Sequence, residues 1–183
     1  MTFRKKIGTI LISVFLFSCG GIHVPFSYAK SDSVIEPGGN FVKLISGEII
    51  KTKKLQYKKQ DFILDTKTVD AADVQAYQSG ERYAVKSPGR SYFINRIVKG
   101  KINVYSTTSM GSGDIGRGGS ENTTSASYYV QKGNSGEVMH MTPEVLREMT
   151  KDNEDAYAVV KNMKNIVTNI PKLEKAVKIY NEN

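Results

Sequence analysis

Residues 91–106 read SYFINRIVKGKINVYS, and the reading of this stretch decides the fold. Two short runs rich in aromatic and β-branched residues flank Lys99-Gly100, a pair that favours a turn. Strands are therefore expected over Ser91–Val98 and Lys101–Ser106. Tyr92, Ile94 and Val98 share one parity, and Arg96 shares it with them, which suggests a sheet edge or the mouth of a barrel. Working outward, the same pattern recurs at Phe41–Ile45, Glu48–Tyr57, Phe62–Asp65, Val74–Gln78, Arg82–Lys86 and Ser127–Lys132. Ser46-Gly47, Lys58–Gln60, Ser79-Gly80 and Ser87-Pro88-Gly89 are the breaks between them. Glu48–Tyr57 alternates poorly, so this strand is half buried or carries a bulge. No connection between Phe41 and Ser106 is long enough for a helical crossover, so the pairing is antiparallel.

Thr107–Ser127 is almost pure Gly, Ser and Thr, residues that bury little and cost most to order; it reads as a loop. Beyond it the period changes. Thr142-Pro143-Glu144 combines a capping residue, a proline at the first helical position and an acid near the positive end of the dipole. Asn153 caps a second helix with the stripe Ala156, Val159, Val160, Met163, Ile166 and Val167, and Pro171 opens a third. The expected architecture is α+β: a small antiparallel sheet or open β-barrel followed by two or three C-terminal helices packed on it. Residues 41–183 form one domain, with a β module over 41–132, a Gly/Ser-rich loop over 107–127 and a helical tail over 142–183.

Residues 1–29 are of another kind. Arg4, Lys5 and Lys6 precede an apolar core of about a dozen residues, too short to cross the ~30 Å hydrocarbon layer and suited to a secretory signal peptide. Two exits compete. Leu16-Phe17-Ser18-Cys19 resembles a lipobox with Cys19 as the lipidation candidate, although Phe17 stands where a smaller residue is usual. Ser27-Tyr28-Ala29 offers small residues for signal peptidase I and is the favoured exit, with residues 30–40 as a linker. The signal holds three of the 26 cations and none of the 18 anions, so its removal lowers the formal charge from +8 to +5.

Composition narrows the chemistry. With 39% hydrophobic and 24% charged residues among 183, the chain is neither disordered nor fibrous. One Cys excludes a disulfide framework or a multi-thiolate metal site, and two His leave little for a His-rich one. Gly111, Gly113 and Gly116 satisfy G-x-G-x-x-G, but no helix follows to meet a phosphate, so no dinucleotide site is read.

Several residues are candidates for a site. Lys51, Lys53, Lys54, Lys58 and Lys59 crowd one hairpin, with Lys43 nearby, and could hold phosphate or an acidic polysaccharide. Lysines on an exposed edge strand would equally block edge-to-edge pairing. His140 lies between Met139 and Met141, a set that could ligate copper, while packing of an apolar loop is the plainer reading. Asp61, Asp65, Asp70 and Asp73 invite comparison with paired-carboxylate hydrolases, and as strand-end acids they also suit turns and caps. No cofactor is expected.

The exported leader, FVKLISGEIIKTKKLQY, RIVKGKINVY, YYVQKG and the short helical tail together resemble uncharacterised exported small β-module proteins of Gram-negative bacteria. The resemblance implies an envelope location (periplasmic, outer-membrane associated or secreted) and carries over no catalytic residue. The expected function is that of an exported non-catalytic envelope protein, a binding or structural module. The alternatives are an envelope carbohydrate hydrolase and a periplasmic copper-binding protein. An acidic envelope polymer or another envelope protein is the expected partner. Nucleic acid is not, and membrane contact would come only through a lipid on Cys19.

Overall fold

The computed structural model describes residues 36–108, 126–165 and 169–183, so the leader, Cys19 and the glycines of the G-x-G-x-x-G match lie outside the described residues. Turn chemistry sets up the sheet. Strands β6 (Val74–Ser79) and β7 (Arg82–Lys86) are joined through Gly80, whose φ of +58° supplies the left-handed step that a two-residue hairpin needs. Strand β1 (Phe41–Leu44) turns into β2 (Ile49–Lys51), and β8 (Phe93–Val98) into β9 (Ile102–Thr108). Strands β10 (Ala126–Lys132) and β11 (Met139–His140) complete an eight-stranded antiparallel sheet in the order β11-β10-β9-β8-β7-β6-β1-β2. Strands β3 (Leu55–Lys58), β4 (Asp61–Leu64) and β5 (Thr68–Asp70) form a second, three-stranded sheet, joined to β6 by a 3-10 turn over Ala71–Asp73.

Three helices follow, α1 (Pro143–Thr150), α2 (Glu154–Val160) and α3 (Ile170–Glu182). The fold is α+β with open antiparallel sheets, as the hydrophobic pattern implies. Thr142 and Asn153 cap α1 and α2 by accepting from Val145 N and Ala156 N at 3.2 and 3.0 Å.

Cross-strand register assigns the faces. Val42, Tyr77, Ala84, Asn95, Ser106 and Tyr128 are successive partners and share one face. Both covering layers lie on that face. The three-stranded sheet brings Phe62 and Leu64 onto Val42, Val74, Tyr77 and Ala84, with the Phe62 and Phe93 rings edge to face at 5.3 Å. The helices bring Leu146, Met149, Val160, Leu173 and Val177 onto Val98, Ile102, Val104 and Val130. Each such side chain contributes about 1.5–3 kcal/mol relative to exposure. The opposite face carries Ala76, Val85, Ile94, Tyr105 and Tyr129 as a third, smaller apolar cluster.

Asn181 on α3 ties the two halves together. Its amide accepts from Ile102 N at 2.8 Å and donates to Ile102 O at 3.0 Å, imitating one rung of a β ladder. A Cβ at Gly100 would fall on this amide, so the β8–β9 turn has glycine there for space rather than for φ.

Four sequence expectations need correction. The single strand over Glu48–Tyr57 is two strands in different sheets. The Asp65 carboxylate accepts from Thr52 Oγ1, Lys53 N and Lys54 N at 2.9, 2.7 and 3.1 Å, turning the chain out of the first sheet. Arg96 and Val98 do not share a face, because an irregularity between them shifts the register so that Arg96 pairs with Tyr105 and Val98 with Val104. The loop over Thr107–Ser127 is shorter at both ends, since β9 and β10 pair out to Thr108 and Ala126. Helix α2 stops at Val160, where Arg147 Nη1 takes the Met163 carbonyl at 2.9 Å; Ile166 and Val167 lie outside the described residues. Strands β5 and β11, three and two residues long, are too short to show in the pattern.

Candidate functional site

The face opposite the helices holds a polar network that crosses the sheet. Arg96 projects from β8, with its side chain 1% exposed. Glu36 reaches it from the segment preceding β1, accepting from Arg96 Nη1 at 2.7 Å and from Lys99 Nζ at 3.1 Å. Burial opposes ionisation of Glu36, and these two cations override it, holding the carboxyl below its ordinary range. The guanidinium lies 3.9 Å over the Tyr83 ring, a cation–π contact strengthened by exclusion of water. Gln78 secures the strap, accepting from Glu36 N at 2.6 Å and donating to the Glu36 and Gly39 carbonyls at 3.0 and 2.9 Å.

Across the sheet, the fully buried Tyr105 donates to Gln131 Oε1 at 2.6 Å, and burial pushes its phenol far above the usual range. Gln131 Nε2 in turn donates to Gly136 O at 2.8 Å, and Asn103 Nδ2 to Gly133 O at 2.7 Å. These amides hold residues 133–138 over the sheet. A groove of about 480 Å³ runs between that loop and strands β1 and β7. Lys43, Tyr83, Lys86, Gln131, Asn134 and Glu137 line it. Lys86 is anchored by donation to Ala72 O at 2.6 Å. That bond draws the Lys86 ammonium to the other face of the sheet, so the groove offers the Lys43 ammonium with amide and phenol groups, at a volume typical of small-ligand pockets.

Of the residues singled out by sequence, Lys43 lines the groove and the others fall elsewhere. Lys51, Lys53, Lys54, Lys58 and Lys59 are all exposed, and none is within ion-pair distance of another described residue. They do not occupy one hairpin. Lys51 lies on edge strand β2, Lys53 and Lys54 in the switch between sheets, and Lys58 and Lys59 at the far end of β3. Lys59 and Gln60 form the β3–β4 turn with φ of 51° and 70°, a left-handed pair built without glycine.

His140 stacks edge-on against Tyr129 at 5.2 Å and is exposed. Met139 and Met141 point the other way, into the helical core, so sulfur and imidazole do not converge. The aspartates serve the backbone. Asp65 holds the sheet switch and Asp70 accepts from Ala72 N at 2.7 Å, while Asp61 is the register partner of Asp70. Asp73 lies in the 3-10 turn. Among the described residues Glu137 is the one carboxylate on the groove wall, so no acid pair is brought together there.

Sequence reasoning missed Glu36 and Gln131. The available signal was Arg96 itself, a charge on the parity of Ile94, inside a strand otherwise apolar enough to be buried. No family model, no curated protein and no solved structure matches this chain.

Proposed function

We propose that the protein is an exported, non-catalytic envelope protein that acts as a binding module, with the groove over the sheet as its ligand seat. The observation that carries this reading is the groove's construction. Its loop wall is fixed by the Gln131 hydrogen bonds, so binding would cost little ordering of the protein. An acidic envelope polymer suits it. Lys43 lines the groove, and the exposed lysines of residues 51–59 extend the positive field outside. The leader read over residues 1–29 supports the location.

Calorimetric titration of the full chain with oligogalacturonate, against neutral dextran as control, tests this. Binding is expected to the acidic polymer alone and to weaken as salt rises. Lys43→Gln should reduce affinity by up to about fivefold, the worth of one solvent-facing charge contact. Equal binding of dextran, or no binding of oligogalacturonate at millimolar concentration, would overturn the proposal.

A further inference from the structure

The eight-stranded sheet ends on β2, which pairs with β1 alone. The ladder between them shows which backbone groups are used. Thr52 N donates to Asn40 O at 3.1 Å and Leu44 N to Glu48 O at 2.8 Å, with Val42 opposite Ile50 between these pairs. Bonded and non-bonded pairs alternate along an antiparallel ladder. Ile50 therefore turns its N–H and C=O toward β1, while Ile49 and Lys51 turn theirs outward. No described strand pairs on that side. The opposite edge of the sheet is blunter, because β11 is only two residues long.

The side chains suit the same use. Ile50 shares a face with its partner Val42 and packs on the cluster beneath the second sheet. Ile49 and Lys51 lie together on the other face, both exposed. Ile49 is 55% exposed and Ile45, in the turn before it, 63%, the two most exposed large apolar side chains among the described residues. Apolar side chains beside free backbone groups form a template for another strand. The charge there is positive. Asp65 is taken up by the Thr52, Lys53 and Lys54 donors, and Glu48 lies 3.9 Å from Lys67. Lys43, Lys51 and Lys54 have no carboxylate within ion-pair distance among the described residues. Such lysines repel the same edge of a second copy and attract an acidic strand.

We propose that β2 is a docking edge for an acidic, extended segment of a partner protein, which joins the sheet as a further strand. The Ile49 and Lys51 N–H groups donate to its carbonyls, and their own carbonyls accept from its amides. On the open face the segment presents an apolar residue to Ile49 and, two positions away, a carboxylate to Lys51. Neither Ile49 nor Lys51 lines the groove, so this contact is distinct from the ligand seat.

The test uses the full chain and a short fluorescent peptide in which valine and glutamate alternate on one side and threonine fills the other. Anisotropy is expected to report binding that weakens as salt rises. The same peptide with lysine for glutamate should not bind. Lys51→Glu should weaken the acidic peptide by about tenfold and admit the lysine peptide, since an attraction becomes a repulsion. Ile49→Pro deletes an outward N–H that the ladder does not use, which an edge strand tolerates, and should cost the acidic peptide about tenfold in affinity. Lys51 is exposed, so Lys51→Glu decides the question should the proline disturb the hairpin. Equal binding of the two peptides would overturn the proposal, as would no binding at millimolar concentration or an unchanged affinity in Lys51→Glu. Sedimentation of the parent as a dimer that Ile49→Pro dissociates would put a second copy on the edge and overturn it as well.

Discussion

Val160→Asp leaves the domain without a cooperative thermal transition in its β-sheet signal. Val160 closes α2 at 0% exposure, in the cluster that joins the helices to Val98, Ile102, Val104 and Val130 of the sheet. An aspartate there removes the valine's packing and places a carboxylate inside an apolar cluster. The penalty for an uncompensated buried charge is several kcal/mol after relaxation, and lost burial brings the total to about 5 kcal/mol or more. Small domains hold only about 5–15 kcal/mol in all. Tyr157→Asp on the same helix is the control, because Tyr157 is 37% exposed and should shift the midpoint by no more than a few degrees. Circular dichroism in the far ultraviolet reads both. A sheet transition untouched by Val160→Asp would show that the helices melt independently and that the one-domain reading is wrong.

Glu36→Gln should have the next largest effect, and pH separates it from a general loss of packing. The variant takes the Glu36 carboxylate away from Arg96, whose side chain is 1% exposed. Breaking a buried pair on one side costs about 3–5 kcal/mol, and the 22% exposure of the Glu36 side chain brings the expectation down to about 2–3 kcal/mol. Because the folded carboxyl is held below its ordinary value, the pair contributes fully above the range of a free glutamate, near 4.5. That contribution falls away as pH drops through the folded value. Urea midpoints measured from pH 7 to pH 3 should therefore converge for parent and variant at the acid end and separate at neutral pH. Parallel curves would mean that Glu36 contributes nothing through its charge. The double variant Glu36→Gln/Arg96→Met should recover part of the loss, since it no longer buries a guanidinium deprived of the Glu36 carboxylate.

What the sequence made legible was local. Arg82–Lys86 is a strand with the bounds the alternation implies, and Thr142 and Asn153 cap the helices they were expected to cap. Each depends on residues within a few positions of one another. The features that escaped depend on distant partners. Nothing in KTKKL announces that Asp65 will take the Thr52, Lys53 and Lys54 donors and send the chain to another sheet. The irregularity after Arg96 reverses the side-chain parity of β8, and a period-two reading that assumes an unbroken strand must then put Val98 on the wrong face. The groove escaped for the same reason. Its walls come from β1, β6, β7, Gln131 and residues 134–138, and of the lysines that stood out by composition Lys43 lines it while those of residues 51–59 lie beyond. Charge is visible along a chain, whereas concavity is not.

The order of strands also bears on the route by which the chain folds. From β6 to β10 every strand pairs with the one next to it in sequence, so most of this meander can assemble by closing short loops. The Glu36–Arg96 pair spans 60 residues and the Asn181–Ile102 rung spans 79, and both must wait for the surfaces they join. Formation is thus expected to run from the β6–β8 hairpins outward, with the strap over one face and α3 over the other closing last. Pulse-labelled hydrogen exchange would show the Ala84 amide protected before that of Ile102; simultaneous protection would mean that the meander and its two clasps form in a single step.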